Sequence, residues 1–279
     1  MSIQINDVTF GYKKTAPLFS GLTFQSSRGS ITGLFGLNGS GKTTMMKLAS
    51  GLLFPQSGTC RLFNEKAARR LPDIYSRCFF LPESFDLPDV TPDQYIRLHA
   101  PFYSAFDHEM FKNCCERFEV PTDKKLGAQS FGMKKKFLIS FALAVRAQVY
   151  FMDEPTNGLD IPSKSTFRKL IAESLTDEQE MIISTHQVRD LGTMIDRVAI
   201  LKNGRVIFDR SLEEVCSKAG FGKIEEEHRD RVVFSEKGMS GEYGVFRKTE
   251  NSPASEPDLE MMFSAAIENA DQLNNLFKK

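Results

Sequence analysis

The sequence lacks an excess of charge of either sign. Its 36 basic and 36 acidic side chains cancel, so the formal net charge is zero. A global basic field of the kind that attracts nucleic acid non-specifically is therefore absent, although this balance leaves room for a local basic patch. With 279 residues and ordinary apolar and charged fractions, the composition predicts a soluble protein with one large domain and a smaller appendage.

The sequence also has no long hydrophobic run. Its longest apolar-like stretch, residues 137–145, would span only about 14 Å as a helix, whereas the hydrocarbon core of a membrane is roughly 30 Å thick. We therefore expect no membrane-spanning segment. The first residues lack the basic start and apolar core of a secretory signal, so the expected location is the cytoplasm.

Cysteine is scarce and shows no metal-ligand spacing. The number of cysteines is odd, which does not suit a closed disulfide framework. We expect reduced thiols rather than disulfides or a structural metal site. The five residues are Cys60, Cys78, Cys114, Cys115 and Cys216.

The sequence does contain a glycine-rich segment that matches G-x-x-x-x-G-K-[ST], between a predicted strand at 29–35 and a predicted helix at about 43–50. Glycines let backbone N–H groups approach a phosphate closely, and the helix N-terminus favours the same negative charge. The lysine would reach the β- and γ-phosphates and the threonine hydroxyl would ligate Mg²⁺. The segment therefore predicts a triphosphate cradle rather than a chance turn. The predicted nucleotide-binding residues here are Gly36, Leu37, Asn38, Gly39, Ser40, Gly41, Lys42, Thr43 and Thr44.

The order of predicted elements indicates an α/β fold, a P-loop NTPase core with a largely parallel sheet. Alternating apolar and polar residues before the cradle predict an N-terminal antiparallel β layer, and helical spacing predicts an inserted helical subdomain at about 91–148. Apolar runs at 149–152, 181–183 and 198–201 predict core strands. We expect one domain over residues 1–210 and a small C-terminal α+β appendage over residues 211–279.

Two acidic residues end the apolar run at 149–152. We expect Asp153 to hold Mg²⁺ and Glu154 to polarise the attacking water, a division of labour that suits nucleotide hydrolysis. The segment that follows, Pro155-Thr156-Asn157-Gly158-Leu159-Asp160, resembles the Walker B and D-loop region of ATP-binding cassette (ABC) ATPases. The resemblance extends from about residue 3 to residue 211 and implies that Asp160 contributes to the nucleotide site.

Further motifs of this family follow in the same order. Tyr12 lies where the family places an aromatic residue that stacks on adenine, and Phe10 competes for that role. Glu83 occupies the place of the Q-loop glutamine, which senses Mg²⁺ and water and joins the core to the helical subdomain. His186 matches the switch histidine that contacts the γ-phosphate.

The signature motif departs most from the family pattern. Residues 129–133 read Q-S-F-G-M where the family has L-S-G-G-Q, so Ser130 and Gly132 match and Phe131 replaces a glycine. The resemblance implies that these residues contact the ATP of a partner subunit from the start of a helix, which we expect near residue 134. We interpret the lysine triplet at 134–136 as a solvated face. The S-x-G-M form and the tail at 258–263 are similar to exporter cassettes.

The resemblance implies an ATP-hydrolysing subunit of an ABC transporter, with ATP and Mg²⁺ as cofactors. Two cassettes would meet head to tail, as identical or different chains, and drive a separate integral membrane permease, in the direction of export. Such a subunit would be peripheral on the inner face of the cell membrane, and no nucleic-acid partner is expected. The alternative is a soluble ABC ATPase acting on nucleic acid or ribosomes, and a third reading is a regulatory protein that binds ATP without useful hydrolysis.

Overall fold

The computed structural model describes residues 2–13, 16–192, 194–249 and 256–278. Residues 250–255 and 279 of the predicted appendage therefore lie outside the described residues. The strands are β1 (Ile3–Phe10), β2 (Phe19–Gln25), β3 (Ile31–Phe35), β4 (Ser57–Leu62), β5 (Glu65–Lys66), β6 (Cys78–Leu81), β7 (Val149–Asp153), β8 (Glu180–Thr185), β9 (Arg197–Lys202), β10 (Arg205–Ser211), β11 (Ala219–Lys223), β12 (Val232–Gly238) and β13 (Gly241–Arg247). The helices are α1 (Lys42–Ala49), α2 (Pro72–Tyr75), α3 (Pro92–His99), α4 (His108–Arg117), α5 (Phe131–Ala144), α6 (Ile161–Ser174), α7 (Leu212–Lys218) and α8 (Leu259–Asn275).

The N-terminal layer is an antiparallel sheet with the strand order β2-β1-β4-β5. Alternation along β1 directs Ile3 and Ile5 into the core, and an irregularity between Ile5 and Val8 returns Val8 to the same side; all three are fully buried. This confirms the predicted antiparallel β layer.

The central sheet has the order β10-β9-β3-β8-β7-β6. Strands β9, β3, β8, β7 and β6 pair in parallel, and β10 adds an antiparallel edge strand that the sequence reading did not predict. Every residue of β7 is buried, as expected of a strand covered on both faces. Because parallel strands end at the same edge, the segments after β3, β7 and β8 converge on one site.

Helices α3, α4 and α5 lie between β6 and β7 in the chain, within the residues of the predicted helical subdomain. Its core is aromatic, with the ring of Tyr95 edge-on to Phe137 and Phe141. Helix α5 begins at Phe131 rather than near residue 134, because the Ser130 hydroxyl accepts a hydrogen bond from the backbone N–H of Met133 and caps the helix. The three residues before the lysine triplet therefore form the first turn of α5.

The interpretation of the lysine triplet as a solvated face is wrong for its middle residue. Lys135 is 0% exposed. Its neighbours Lys134 and Lys136 are partly buried, and the Lys136 ammonium lies 3.9 Å from the Asp160 carboxylate. Lys135 thus packs inside the protein, whereas its two neighbours keep part of their surface in water.

The C-terminal part consists of a small antiparallel sheet, β11-β13-β12, and the helix α8. Helix α8 packs against the central sheet, where the Asn274 side-chain amide donates to the Ile207 carbonyl at 2.8 Å. Buried Met262 and Ala266 of α8 belong to the same hydrophobic cluster as Ile200 of β9. The appendage therefore shares its core with the central domain.

None of the helices in the described ranges is long and apolar enough to cross a membrane. The cysteines are free thiols, and burial raises the pKa of both Cys60 and Cys78 to about 12. Within the described part of the chain, His, Cys, Asp and Glu side chains form no group of three or more that could hold a metal ion by themselves.

Candidate functional site

The cradle connects the end of β3 to the start of α1, and its glycines are required by its shape. Gly41 caps α1 with a φ of 105°, a conformation that favours glycine, and a Cβ there would lie 2.7 Å from the Phe19 ring. A Cβ on Gly36 would lie 2.5 Å from the Ser40 hydroxyl and 2.7 Å from the Leu201 carbonyl. The loop therefore holds its backbone tightly at the N-terminus of a helix, a geometry suited to an anion.

The ammonium of Lys42 folds back over the cradle. It donates to the Gly36 carbonyl at 2.8 Å and to the Leu37 carbonyl at 3.3 Å. Burial lowers its pKa, while the charges of Glu154, Asp153 and Glu83 oppose that shift. Among the residues that the structure describes, the buried Ser40 hydroxyl has no hydrogen-bond partner. The cradle thus offers polar groups that suit a phosphate.

Asp153 ends β7 and is almost fully buried between two hydroxyl groups. Thr43 donates to its Oδ2 at 2.7 Å, and Ser184 at the end of β8 donates to its Oδ1 at 2.5 Å. A hydroxyl next to a carboxylate supplies two oxygen ligands, and Mg²⁺ in proteins is held by one or two carboxylates together with substrate phosphates and water. The residues present therefore fit Mg²⁺ bound with a nucleotide.

Glu154 follows directly and has an unusual backbone. Its φ is 45°, in the left-handed region that few non-glycine residues adopt. Its backbone N–H points at Ser184, with the carbonyl 3.1 Å and the hydroxyl 3.2 Å away. Its carboxylate Oε1 accepts from the His186 ring nitrogen Nδ1 at 2.9 Å. Neighbouring structure thus holds Glu154 in a strained backbone conformation with its carboxylate beside a histidine, and such backbone strain is common at functional sites.

Glu83 reaches the same cleft from the end of β6. Its carboxylate Oε1 accepts from the Asn157 side-chain amide at 3.1 Å. This bond ties the Glu83 loop to the segment after Glu154.

Tyr12 lines the cleft beside the start of α1. It is 68% exposed, its hydroxyl lies 3.0 Å from the Thr44 hydroxyl, and its ring meets the Phe10 ring edge-on. Phe10 is only 7% exposed and belongs to the core, so a base in the cleft could stack on Tyr12 but not on Phe10.

These side chains line one cleft of about 1030 Å³. It holds most of the residues that the sequence predicted, and it adds Lys13, Ala16, Pro17, Leu18 and Asn157. The predicted residues in its lining are Tyr12, Asn38, Gly39, Gly41, Lys42, Thr43, Thr44, Glu83, Asp153, Glu154 and His186.

Comparison with known proteins gives the family. A sequence model of the ABC transporter family matches residues 19–157. The zinc uptake system ATP-binding protein ZurA of Listeria monocytogenes is 32% identical over 225 residues, which cover 76% of this chain and 86% of that protein. The chain belongs to the ABC transporter ATP-binding family. It is an ATP-binding subunit of a transporter and an ATPase.

Other relatives agree on this family and differ in the transport process that their names give. A fluoroquinolones export ATP-binding protein of Mycobacterium tuberculosis is 28% identical over 248 residues, covering 86% of this chain and 81% of that protein. The solved structure of an ATP-binding subunit of an ABC transporter is 25% identical with a TM-score of 0.69, covering 77% of this chain and 92% of that one. A dimeric cassette bound to ADP and phosphate is 22% identical with a TM-score of 0.66, covering 75% of this chain and 98% of that one, and shows the same fold.

Some predicted site residues of the cassette lie outside the cleft of their own subunit. Gly36, Leu37 and Ser40 belong to the cradle. Leu37 and Ser40 line an adjoining crevice, and a Cβ on Gly36 would point toward Ser40 inside the loop. The others lie on a different surface: Ser130 and Asp160 are exposed and Gly132 is partly exposed. Asp160 caps α6 by accepting from the Ser163 backbone N–H at 2.8 Å, and this bonding to Ser163 lowers its pKa.

Sequence reasoning missed three polar residues of this region. Ser184 donates a hydrogen bond to Asp153, and a serine that directly follows the apolar run 181–183 near the end of a buried strand was a usable signal. The Asn157 amide donates to the Glu83 carboxylate, but within the segment 155–160 the sequence predicts a role for Asp160 alone. Lys135 carried no local signal, because its burial depends on the distant Glu83 loop.

Proposed function

We propose that this cassette hydrolyses ATP with Glu154 as the residue that orients and activates water. The observation that carries this proposal is the hydrogen bond between the Glu154 carboxylate and His186 beside the Thr43–Asp153 pair, at the edge of the cradle. Water would attack the γ-phosphorus, its proton would pass to Glu154, and the bond to the ADP oxygen would break. Lys42 and His186 would stabilise the charge on the transferring phosphoryl group.

The roles of the remaining cleft residues follow from their positions. Thr43 and Asp153 would hold Mg²⁺, with Glu83 as a further oxygen ligand. Bound there, Mg²⁺ would supply positive charge that stabilises the phosphate oxygens. The cradle would bind the triphosphate and Tyr12 would stack on adenine, an interaction worth about 1 kcal/mol.

We propose a head-to-tail dimer because one subunit leaves part of the motif series without a nucleotide. The exposed Ser130 hydroxyl lies at the N-terminus of α5, whose dipole favours a phosphate. Gly132 and Asp160 share this surface with it. In a dimer these residues would face the ATP held by the cradle of the partner, and the partner would be an identical or a closely similar cassette.

The second partner that we propose is an integral membrane permease. An apolar groove of about 580 Å³ lies between the core and the helical subdomain, and Phe102 on its rim is 72% exposed. Apolar helices at the cytoplasmic ends of a permease fit such a groove, since large exposed aromatic side chains mark interaction surfaces. The cassette would then be cytoplasmic and peripheral on the inner face of the membrane. Other residues of the groove are Leu52, Tyr75, Phe80, Pro82 and Tyr103.

The proposed direction of transport is export, supported by the S-x-G-M form of the signature motif and the exporter-like tail at 258–263. Inverted membrane vesicles test it, because the cassette then faces the added ATP. Export predicts ATP-dependent accumulation of cargo inside the vesicles, and uptake predicts its release. Fluoroquinolones and Zn²⁺ are suitable first cargoes, since relatives are named for them.

The membrane partnership has a direct test. The full chain, expressed in its native cell, should pellet with membranes and co-purify with a multi-spanning protein after mild solubilisation. A wholly soluble pool associated with ribosomes or DNA would instead support the alternative, a soluble ABC ATPase acting on nucleic acid or ribosomes. We also retain 1–210 as the ATPase domain, with its helical subdomain at about 91–148, and 211–279 as the appendage.

A further inference from the structure

One charged side chain of α5 lies in an unusual environment. Lys135 is 0% exposed, whereas lysine is almost never fully buried unless it is paired. Its ammonium donates to the backbone carbonyl of Glu83 at 3.2 Å. Burial lowers its pKa, and the charges of Glu83, Asp153 and Glu154 oppose that shift. The cation is thus held next to the acidic edge of the nucleotide cleft without lining it.

Two aromatic rings cover this cation. Phe85 and Phe131 stack with their centroids 5.3 Å apart and their planes at 20°. The Lys135 ammonium lies 5.7 Å from each centroid, within the range of cation–π attraction. Phe131 and Lys135 are four residues apart on α5 and so share a face of the helix. We call these three residues the Lys135 cluster.

The cluster also touches the segment after Glu154. A Cβ on Gly158 would lie 3.1 Å from the Phe131 ring, and Gly158 has a φ of 81°, so this close approach depends on glycine. The neighbouring Asn157 amide binds the Glu83 carboxylate. Three segments therefore meet here: the Glu83 loop, the start of α5 and the loop after Glu154.

Phe131, which replaces a glycine of the family pattern, thus has specific packing partners in Phe85 and Lys135. A glycine at this position could not stack on Phe85 or cover Lys135. The aromatic pair and the buried cation depend on one another, because the rings shield the ammonium from water and the ammonium is attracted to the negatively polarised face of each ring.

We propose that Lys135 is a positioning residue that makes the Glu83 loop and the Ser130 end of α5 move as one unit. This inference rests on the proposed function, in which Glu83 meets the nucleotide of its own subunit and Ser130 meets the nucleotide of the partner. Without the ammonium, the Glu83 carbonyl loses a donor and the ring stack loses its cation. ATP would still bind the cradle, but its binding would no longer move the signature motif at the start of α5.

A fluorescence experiment tests this coupling, since the chain contains no tryptophan. Phe131→Trp places a single reporter in the stack, and Glu154→Gln in the same protein keeps ATP unhydrolysed. We expect ATP to change the tryptophan emission of this reporter protein. The change should disappear with Lys135→Met, which removes the ammonium at similar length. It should persist with Lys134→Met, the matched control on the same helix.

Turnover in the protein with native Glu154 and Phe131 gives a second readout. Lys135→Met should lower kcat about tenfold and leave the KM for ATP unchanged, since a positioned group is displaced and the cradle is intact. Phe85→Leu should have the same effect by breaking the stack. The double variant should be no worse than either single variant, as expected for residues that act together. Fully additive losses, or a KM that rises as kcat falls, would mark Lys135 as merely structural.

The outcomes separate the two proposals. If the reporter protein fails to bind ATP, the proposed nucleotide site itself is wrong. If it binds ATP and the emission is constant, or changes equally with and without Lys135, only the coupling is overturned. Should Lys135→Met fail to fold, Phe85→Leu in the reporter protein decides the matter: a lost emission response supports the coupling and a retained response contradicts it.

Discussion

The cassette has two surfaces that we propose to face nucleotide, and they are built in different ways. The cradle face consists of Lys42, Thr43, Asp153, Glu154 and His186, and direct hydrogen bonds within one subunit join most of these side chains. The signature face consists of Ser130, Phe131 and Gly132 at the start of α5. Its largest side chain, Phe131, makes no hydrogen bond of its own; its ring stacks on Phe85 and lies over the Lys135 ammonium.

The difference shows how each surface tolerates change. The cradle face is fixed by parallel strands that end at one edge, so each polar group depends on several others. The signature face is the first turn of a single helix, and a departure from the family pattern at Phe131 is accommodated by a few neighbours. We therefore expect substitutions in the cradle face to have the larger effects.

The largest effect should follow Glu154→Gln. The amide keeps the shape of the side chain but cannot accept a proton from water, so turnover should fall about 10²-fold or more while ATP still binds. Single-turnover hydrolysis and nucleotide binding measure the two properties separately. Glu109→Gln, at an exposed position of α4, is the matched control. Near-normal turnover in Glu154→Gln would show that Glu154 does not activate the attacking water.

The next largest effect distinguishes a shared site from a self-contained one. Lys42→Ala and Ser130→Ala should each inactivate a homodimer, the first through the cradle face and the second through the signature face. Mixing the two variants in equal amounts should restore at most roughly a quarter of the wild-type turnover. About half of the dimers then contain one chain of each kind, and each such dimer holds one intact site out of two.

The control carries both substitutions in one chain. When Lys42→Ala/Ser130→Ala is mixed with the wild-type chain, a mixed dimer contains no intact composite site, so mixed dimers should add no turnover. At equal amounts the head-to-tail arrangement predicts roughly a quarter of the wild-type turnover in both mixtures, because about a quarter of the dimers in the control are wild-type homodimers. Roughly half of the wild-type turnover in the control, together with none in the mixture of single variants, would contradict that arrangement. Turnover at several mixing ratios is the measurement.

Sequence reasoning reached the cradle face more completely than the signature face, for a physical reason. Lys42, Asp153 and His186 belong to motifs whose positions at strand ends follow from the topology. The capping of α5 by Ser130 was also predictable from the sequence, since serine favours the position before a helix. The burial of Lys135 was not, because it depends on Phe85 from a loop that no local pattern connects to α5.

A smaller effect should follow Ser184→Ala in the cradle face. The hydroxyl donates to Asp153 Oδ1 at 2.5 Å, and loss of a group that orients a metal ligand costs roughly 10- to 100-fold in metal affinity or activity. The Mg²⁺ concentration for half-maximal turnover should therefore rise at least about tenfold. Ser140→Ala is the control, since Ser140 is equally buried but donates to the Lys136 carbonyl within α5. If both variants shift the Mg²⁺ dependence alike, Ser184 has no specific role at Asp153.

The smallest effect concerns stability on the signature face. Phe131→Leu keeps an apolar side chain but removes the ring that stacks on Phe85 and covers Lys135, so it should destabilise the chain by about 1 kcal/mol. Phe102→Leu removes a more exposed ring and should change the free energy of unfolding by less than about 0.5 kcal/mol. Denaturant unfolding of the two variants measures the difference. Equal stabilities would mean that Phe131 replaces glycine without stabilising the fold, and that the signature face is held by the α5 backbone alone.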